Sequence, residues 1–319
     1  MSTMDPLSDV LRAVRLNGAY FYLVEAGAPW SVFAAPAREL VPRVLPEADH
    51  LISYHILLSG SCWGGLDGDS QVHMQPGDVI VFPQGDSHIM SSHRGHRDES
   101  GLDGTSARRY PQTVQLGPDG DRATTFVCGF LGCDMKPFNP LLASLPRRMH
   151  VPGIAGGWLS QFPRQVVAES RAGRAGSDTI LTRMAELMFV EVVRRHLENL
   201  PSQHAGWLAG LKDSVVGPAL SQLHDHPDHS WTLPELARTI ASSRTVLAER
   251  FSQLVGVPPM MYLTRWRLQL AAEQLARGSA KVAAVGAQVG YESEAAFSRA
   301  FKRETGVSPA AWRRQRQPA

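Results

Sequence analysis

The stretch "GYESEAAFSRAFKRETGVSPAAWRR" (Gly290–Arg314) decides how the rest of this 319-residue chain is read. Phe297 and Phe301 recur at helical spacing with Ala296 and Ala300 beside them. Glu294, Ser298, Arg299, Lys302 and Arg303 stand between. Such a helix is either an ordinary amphipathic element or one whose outer face touches something. The composition around it favours the second reading. From Trp231 onward the chain holds thirteen Lys and Arg against six Asp and Glu, a net of +7. The remainder holds nineteen against twenty-four, a net of −5. A near-neutral total therefore hides a basic C-terminal part, which points to a polyanionic partner.

A second copy of the pattern lies about 50 residues upstream, by the estimate of its turn-helix spacing. "TLPELARTIASSRTVLAERFSQLVGVPPMMYLTRWR" (Thr232–Arg267) and "KVAAVGAQVGYESEAAFSRAFKRETGVSPAAWRR" (Lys281–Arg314) share one order of parts. Each has a short apolar-periodic helix, a tight turn, a second helix and a Gly-Val-Pro or Gly-Val-Ser-Pro ending. This is a duplicated helix-turn-helix, whose second helix projects and fits the roughly 12 Å wide major groove. Phe297 and Phe301 face the core. Glu294, Ala295, Ser298 and Arg299 face the bases, and Lys302 and Arg303 meet phosphates further along. Arg299 is the strongest candidate for a base contact, because Arg reaches guanine O6 and N7 together.

On these residues the segment from Asp213 to Arg316 resembles the DNA-binding domain of the AraC/XylS transcriptional regulators. The resemblance implies seven helices, with two helix-turn-helix motifs joined by a long central helix over "PPMMYLTRWRLQLAAEQLARG". It implies two recognition helices in successive major grooves of double-stranded promoter DNA and RNA polymerase as a further partner, and it favours activation, although the sequence itself does not tell activator from repressor. It places the first reader at Ser243, Arg244, Thr245, Ala248 and Glu249. Ala248 can touch only a thymine methyl. Glu249 either accepts from cytosine N4 or pairs with Arg250 or another basic group.

The N-terminal part reads differently. Residues from about 20 to 130 are short strand-like runs bounded by Gly, Pro and Asp, which suggests a small barrel or sandwich. Ser92–Gln112 is polar and aperiodic and is expected to be a mobile loop. "GDVIVFPQGDSHIMSS" (Gly77–Ser92) resembles the second cupin motif, with Gly77, Pro83, Gly85 and His88 in place and Ser92 at its end. "YHILLSGSCWGGLDG" (Tyr54–Gly68) keeps His55 and Gly68 of the first, with Ser61 and Cys62 near the usual glutamate. This half is similar to the cupin-type sensor domain of one subgroup of the same regulators.

Three signals stay open for that domain. His55, Cys62 and His88 form a candidate set for one divalent metal such as Zn²⁺, with His73, His93 and His96 as further candidates. Cys62, Cys128 and Cys133 are redox candidates. The third option is a small organic effector in an apolar interior. "NPLLASLP" reads as a short helix, and Ser177–Pro201 as a long amphipathic one, capped by Ser177 or Asp178. Its stripe of Ile180, Met184, Leu187, Met188 and Val192, with Glu191 at the edge, serves the domain's own packing or a dimer surface.

The expected architecture is α+β multidomain: a cupin-like β-barrel with a helical dimerisation segment over 1–200, a linker over 201–212, and an all-α domain over 213–316 with two helix-turn-helix motifs. The expected function is a homodimeric, cytoplasmic, sequence-specific DNA-binding regulator that is not an enzyme. It would respond to a small effector, a metal or an oxidant. The rival is a cupin-class metal-dependent enzyme with an appended helical domain, weakened because the first motif lacks its second histidine and its glutamate. A general architectural DNA binder is a third reading. No basic-then-apolar leader and no run of about 18 apolar residues is present, so neither secretion nor a membrane span is expected. Three sparse cysteines fit a reducing compartment.

Overall fold

The computed structural model describes residues 5–14, 16–97, 112–118, 123–135, 137–153, 161–172, 174–201 and 205–316. The expected mobile loop falls largely on 98–111, outside them. The chain divides into two compact units. The sheet unit takes the described residues of 16–134 and 145–199. The helical unit takes those of 1–15, 135–144 and 200–319.

The apolar runs of the sheet unit become strands buried on both faces. One sheet has six strands in the order β10 (Met149–Val151), β6 (Val79–Phe82), β3 (His50–Ser59), β9 (Thr124–Cys133), β1 (Leu16–Ala26) and β8 (Gln112–Leu116). The other has four, β2 (Ser31–Ala34), β7 (His88–Ser91), β4 (Cys62–Leu66) and β5 (Val72–Met74). Neighbours are antiparallel except β1 and β8. The expected barrel is therefore an open, two-sheet form of the cupin architecture rather than a closed cylinder. Edge strands of three to five residues end each ladder before the two sheets join.

The core lies between the sheets. Tyr22, Val24, Leu57, Phe82 and Phe126 from one meet Val32, Cys62, Leu66, Met74 and Met90 from the other. Trp30 stacks on Phe126 with ring centroids 5.1 Å apart. Gly129 sits directly opposite Tyr54 in the β3–β9 ladder. A Cβ there would lie 2.1 Å from the Tyr54 ring, so only glycine lets that ring lie across the strand.

Three helices complete this unit: α2 (Ala37–Val44), α4 (Phe162–Ala172) and α5 (Ser177–Glu198). The cap of α5 is Gly176, not Ser177 or Asp178. The Ser177 hydroxyl instead donates to Glu169 at 2.6 Å. The helix buries Leu181, Ala185, Met188, Phe189, Val192 and Val193. Ile180 and Leu187 point outward, 45% and 56% exposed.

The helical unit contains α1 (Pro6–Ala13), α3 (Pro140–Ser144), α6 (Trp207–Lys212), α7 (Val216–Asp225), α8 (Leu233–Thr239), α9 (Arg244–Val255), α10 (Pro259–Arg277), α11 (Val282–Gln288), α12 (Glu294–Thr305) and α13 (Pro309–Arg316). From Asp213 onward this makes the seven helices expected. The 201–212 stretch expected as linker holds α6, because Trp207 and Leu208 bury against α7 and α9. Helix α1 also packs here, on α3, α7 and α10, although it begins the chain. Among the described residues no helix is long and apolar enough to cross a membrane.

Candidate nucleic-acid interface and a buried histidine thread

The two helix-turn-helix copies superimpose in their hydrogen bonds, not only in their sequence. In the first turn, Ala241 N–H donates to Arg238 C=O and Ser242 N–H to Ala237 C=O. In the second, Gly290 N–H donates to Ala287 C=O and Tyr291 N–H to Gly286 C=O. Ala241 and Gly290 both take positive φ, 53° and 84°. A Cβ on Gly290 would lie 2.6 Å from the Asp228 carbonyl oxygen, so this turn admits no side chain. The correspondence then shifts by one residue, and Glu292 is the insertion. Ser243 and Ser293 cap α9 and α12, accepting from Val246 N–H at 3.1 Å and Ala296 N–H at 3.2 Å. Both helices end at a left-handed glycine, Gly256 and Gly306.

The inner faces hold the helices down. Leu247 and Phe251 are buried in the first copy, and Phe297, Ala300 and Phe301 in the second. The outer faces carry the predicted readers. Arg244, Thr245 and Glu249 are exposed and Ala248 half-buried. Glu294, Ala295, Arg299, Lys302 and Arg303 are exposed and Ser298 half-buried. Ser243 is spent as a cap, and its hydroxyl faces its own helix end. Glu249 does not pair with Arg250, whose Nε donates to Asp213 at 2.6 Å. Asp213 in turn accepts from Val215 and Val216 N–H at the start of α7. Among the described residues Arg299 makes no ion pair, so its guanidinium is available for a bidentate contact. Sequence reasoning passed over Val246, an apolar side chain 46% exposed in the first turn of α9.

In the sheet unit, His55 on β3 and His88 on β7 meet across the core, Nε2 to Nε2, at 2.8 Å. His55 Nδ1 lies 2.8 Å from Cys128 Sγ, and His88 Nδ1 lies 3.0 Å from the Asp86 carbonyl oxygen. A carbonyl only accepts, so His88 carries its proton on Nδ1. Its Nε2 then accepts from His55 Nε2–H, and His55 Nδ1 accepts from the Cys128 thiol. One proton pattern satisfies the whole thread with every member neutral. Desolvation acts in the same direction. It holds His55 well below the ordinary imidazole value, with His88 adding, and draws His88 down to about 4. It also raises the Cys128 thiol. The thread ties the two sheets together through their interior.

The sulfur expected beside these histidines was Cys62. The structure supplies Cys128, because the antiparallel register sets His55 opposite Cys128. Cys62 is buried on β4, its thiol pushed up to about 12 by desolvation with Asp78 adding. Cys133 is buried and raised likewise. None of the three has the exposure and lowered pKa of a reactive thiol. Among the described residues no group of three or more His, Cys, Asp or Glu side chains is placed to hold a metal ion. Two nitrogens fall short of the three or four protein donors zinc takes, and both already serve the thread. His73 packs against Trp63, and His93 and His96 lie on the segment following β7, with 6.4 Å between their rings. A separate cleft of about 320 Å³ lies between β10 and the end of α5, lined by His150, Glu191, Arg195 and His196.

Comparison with known proteins agrees with both halves. A cupin family model matches residues 5–198, and a helix-turn-helix domain model matches 236–315. A putative AraC-like transcription regulator of Streptomyces antibioticus is 34% identical over 319 residues, covering 99% of this chain and 100% of that one. The HTH-type transcriptional regulator AlkR of Acinetobacter baylyi is 28% identical, covering 98% and 100%. The RCS-specific HTH-type transcriptional activator RclR of Escherichia coli is 27% identical, covering 82% and 84%.

Proposed function

This chain belongs to the AraC-like family of transcription regulators, and on that premise we propose how its parts divide the work. It is a sequence-specific DNA-binding regulator, not an enzyme. The observation that carries this is the duplicated turn with matching hydrogen bonds and outward faces rich in unpaired polar groups. The two copies take adjacent major-groove segments of one promoter duplex. Arg299 contacts guanine, Thr245, Ala248 and Glu249 read at the first segment, and Lys302 and Arg303 neutralise phosphates. Selection from randomised duplexes, followed by competition at two salt concentrations, tests the assignment. Recovery of a shared motif supports it, and binding no better than to shuffled DNA at either salt sinks it.

The sheet unit responds to a small effector. The support is its cupin match and an interior made of deformable side chains, Met74 and Met90 among them, packed around the inward-facing Gly64. A bound effector shifts the population between states of different DNA affinity. The unit holds no metal in this reading, and its thiols are structural. The chain pairs as a homodimer through the outward stripe of α5, where Ile180, Met184 and Leu187 follow one another at helical spacing. Leu187→Lys should convert the dimer to monomer in sedimentation. The finer role is activation, supported by the word activator in the name of the Escherichia coli relative, and RNA polymerase is the partner that role calls for.

A further inference from the structure

Gln269 sits in the middle of α10, the helix that joins the two readers, and is 2% exposed. A buried amide must satisfy both its donor and its acceptor, and this one does so with two distant segments. Its Nε2 donates to the Ala13 carbonyl at 3.0 Å, an acceptor left open at the end of α1. Its Oε1 accepts from Phe138 N–H at 3.0 Å. These two segments are the chain's way into and out of the main body of the sheet unit. Ala13 precedes β1 by three residues, and Phe138 follows β9 by five. Strands β1 and β9 are paired neighbours, with Leu16 opposite Cys133. One side chain therefore binds both of the segments that lead to the same end of one strand pair.

Further contacts seat the same two segments. His224 on α7 stacks on Trp266 at 4.2 Å, and its Nδ1 lies 3.6 Å from the Asp9 carboxylate on α1. The His224 Nε2 is 2.8 Å from the Tyr262 hydroxyl, which accepts from Trp207 Nε1–H at 2.8 Å. Phe138 packs edge-on against Tyr262 at 5.4 Å. Tyr262, Trp266 and Gln269 all belong to α10, and α10 also packs on α9, α11, α12 and α13.

We propose that Gln269 is a positioning residue: it registers the β1 and β9 connectors on the helix that spaces the two DNA readers, so that each senses the state of the other. The inference rests on the DNA-binding reading above. Only an uncharged amide does both jobs. Glu lacks the donor for Ala13, and Met lacks both partners. Because coupling between two sites is reciprocal, DNA itself can serve as the probe.

The test uses the full chain and a duplex recovered by random selection. Amide exchange is followed at Phe138 and along α1, with and without that duplex. In the wild type, DNA should change the Phe138 exchange rate at least about fivefold. Gln269→Met should abolish that response while still binding the duplex, and Gln269→Glu should retain Phe138 protection but lose it along α1. A wild-type Phe138 amide indifferent to bound DNA would overturn the proposal without any variant. A DNA response persisting in Gln269→Met would overturn it as well. A purely structural role predicts a lower melting temperature alone. Failure to recover any preferred duplex would instead remove the DNA reading on which this inference stands.

Discussion

The two helix-turn-helix copies share their inside and reverse their outside. Helices α9 and α12 have equal length, serine caps and left-handed glycine ends. Their buried pairs, Leu247 with Phe251 and Phe297 with Phe301, occupy the same two positions. On the outer face Arg244 corresponds to Glu294, and Glu249 to Arg299. Ser252 and Gln253 stand where the second copy has Lys302 and Arg303. Packing dictates the inner positions, so duplication preserved them. Nothing within the domain dictates the outer ones, and they diverged to opposite charge. Glu294 complements the positive N-terminal end of α12, whereas Arg244 opposes that of α9 at a cost of up to about 1 kcal/mol. On the proposed reading a cation there is explained by DNA rather than by helix stability. On the proposed reading the second copy is the main source of affinity, and the first supplies positioning with a weaker preference at a different base pair.

The comparison can be broken most forcefully at the turns. Gly290→Ala should destabilise the helical unit by about 2–4 kcal/mol in chemical denaturation, from left-handed strain plus a clash with Asp228. A neutral result would mean the second turn differs from the geometry described. Next come the readers. Arg299→Ala should cost ~1–3 kcal/mol in binding to the selected duplex. Glu249→Ala at the matching position should cost less than about 1 kcal/mol and relax preference at one base pair. Equal losses in both variants would refute the division of labour. Smaller still, Val246→Ala should weaken binding by about 0.8 kcal/mol, the worth of a buried methyl or methylene. On the proposed reading Val246 packs on a thymine methyl, so replacing that thymine by uracil should cost the wild type a similar amount and the variant nothing. The smallest effect is a gain. Ala241→Gly relieves a non-glycine left-handed residue and should stabilise by about 0.5 kcal/mol, net of the added chain entropy. A loss of stability there would show that the first turn draws something from its methyl group.

Much of the helical unit was legible because its signals are local. The terminal glycines and the Phe297–Phe301 face involve separations of four residues or fewer, and the backbone's own bonding enforces them; Ser243, expected to read a base, turned out to be a cap of the same local kind. The Gly77–His88 pattern likewise announced a cupin-type half, and "NPLLASLP" announced α3. What the sequence hid depends on partners far along the chain. His55 finds Cys128 rather than Cys62 because strand register brings together residues 73 apart. Arg250 is taken by Asp213, 37 residues away, which leaves Glu249 to the solvent. Gln269 meets Ala13 across 256 residues, and with it α1 joins the helical unit. The sequence by itself determined which faces of the reading helices are greasy and that the reading unit is doubled. Only the tertiary structure decided which buried polar groups pair. Each must find a partner once water is gone, and the choice among candidates belongs to packing and register, which leave no trace in the neighbouring residues.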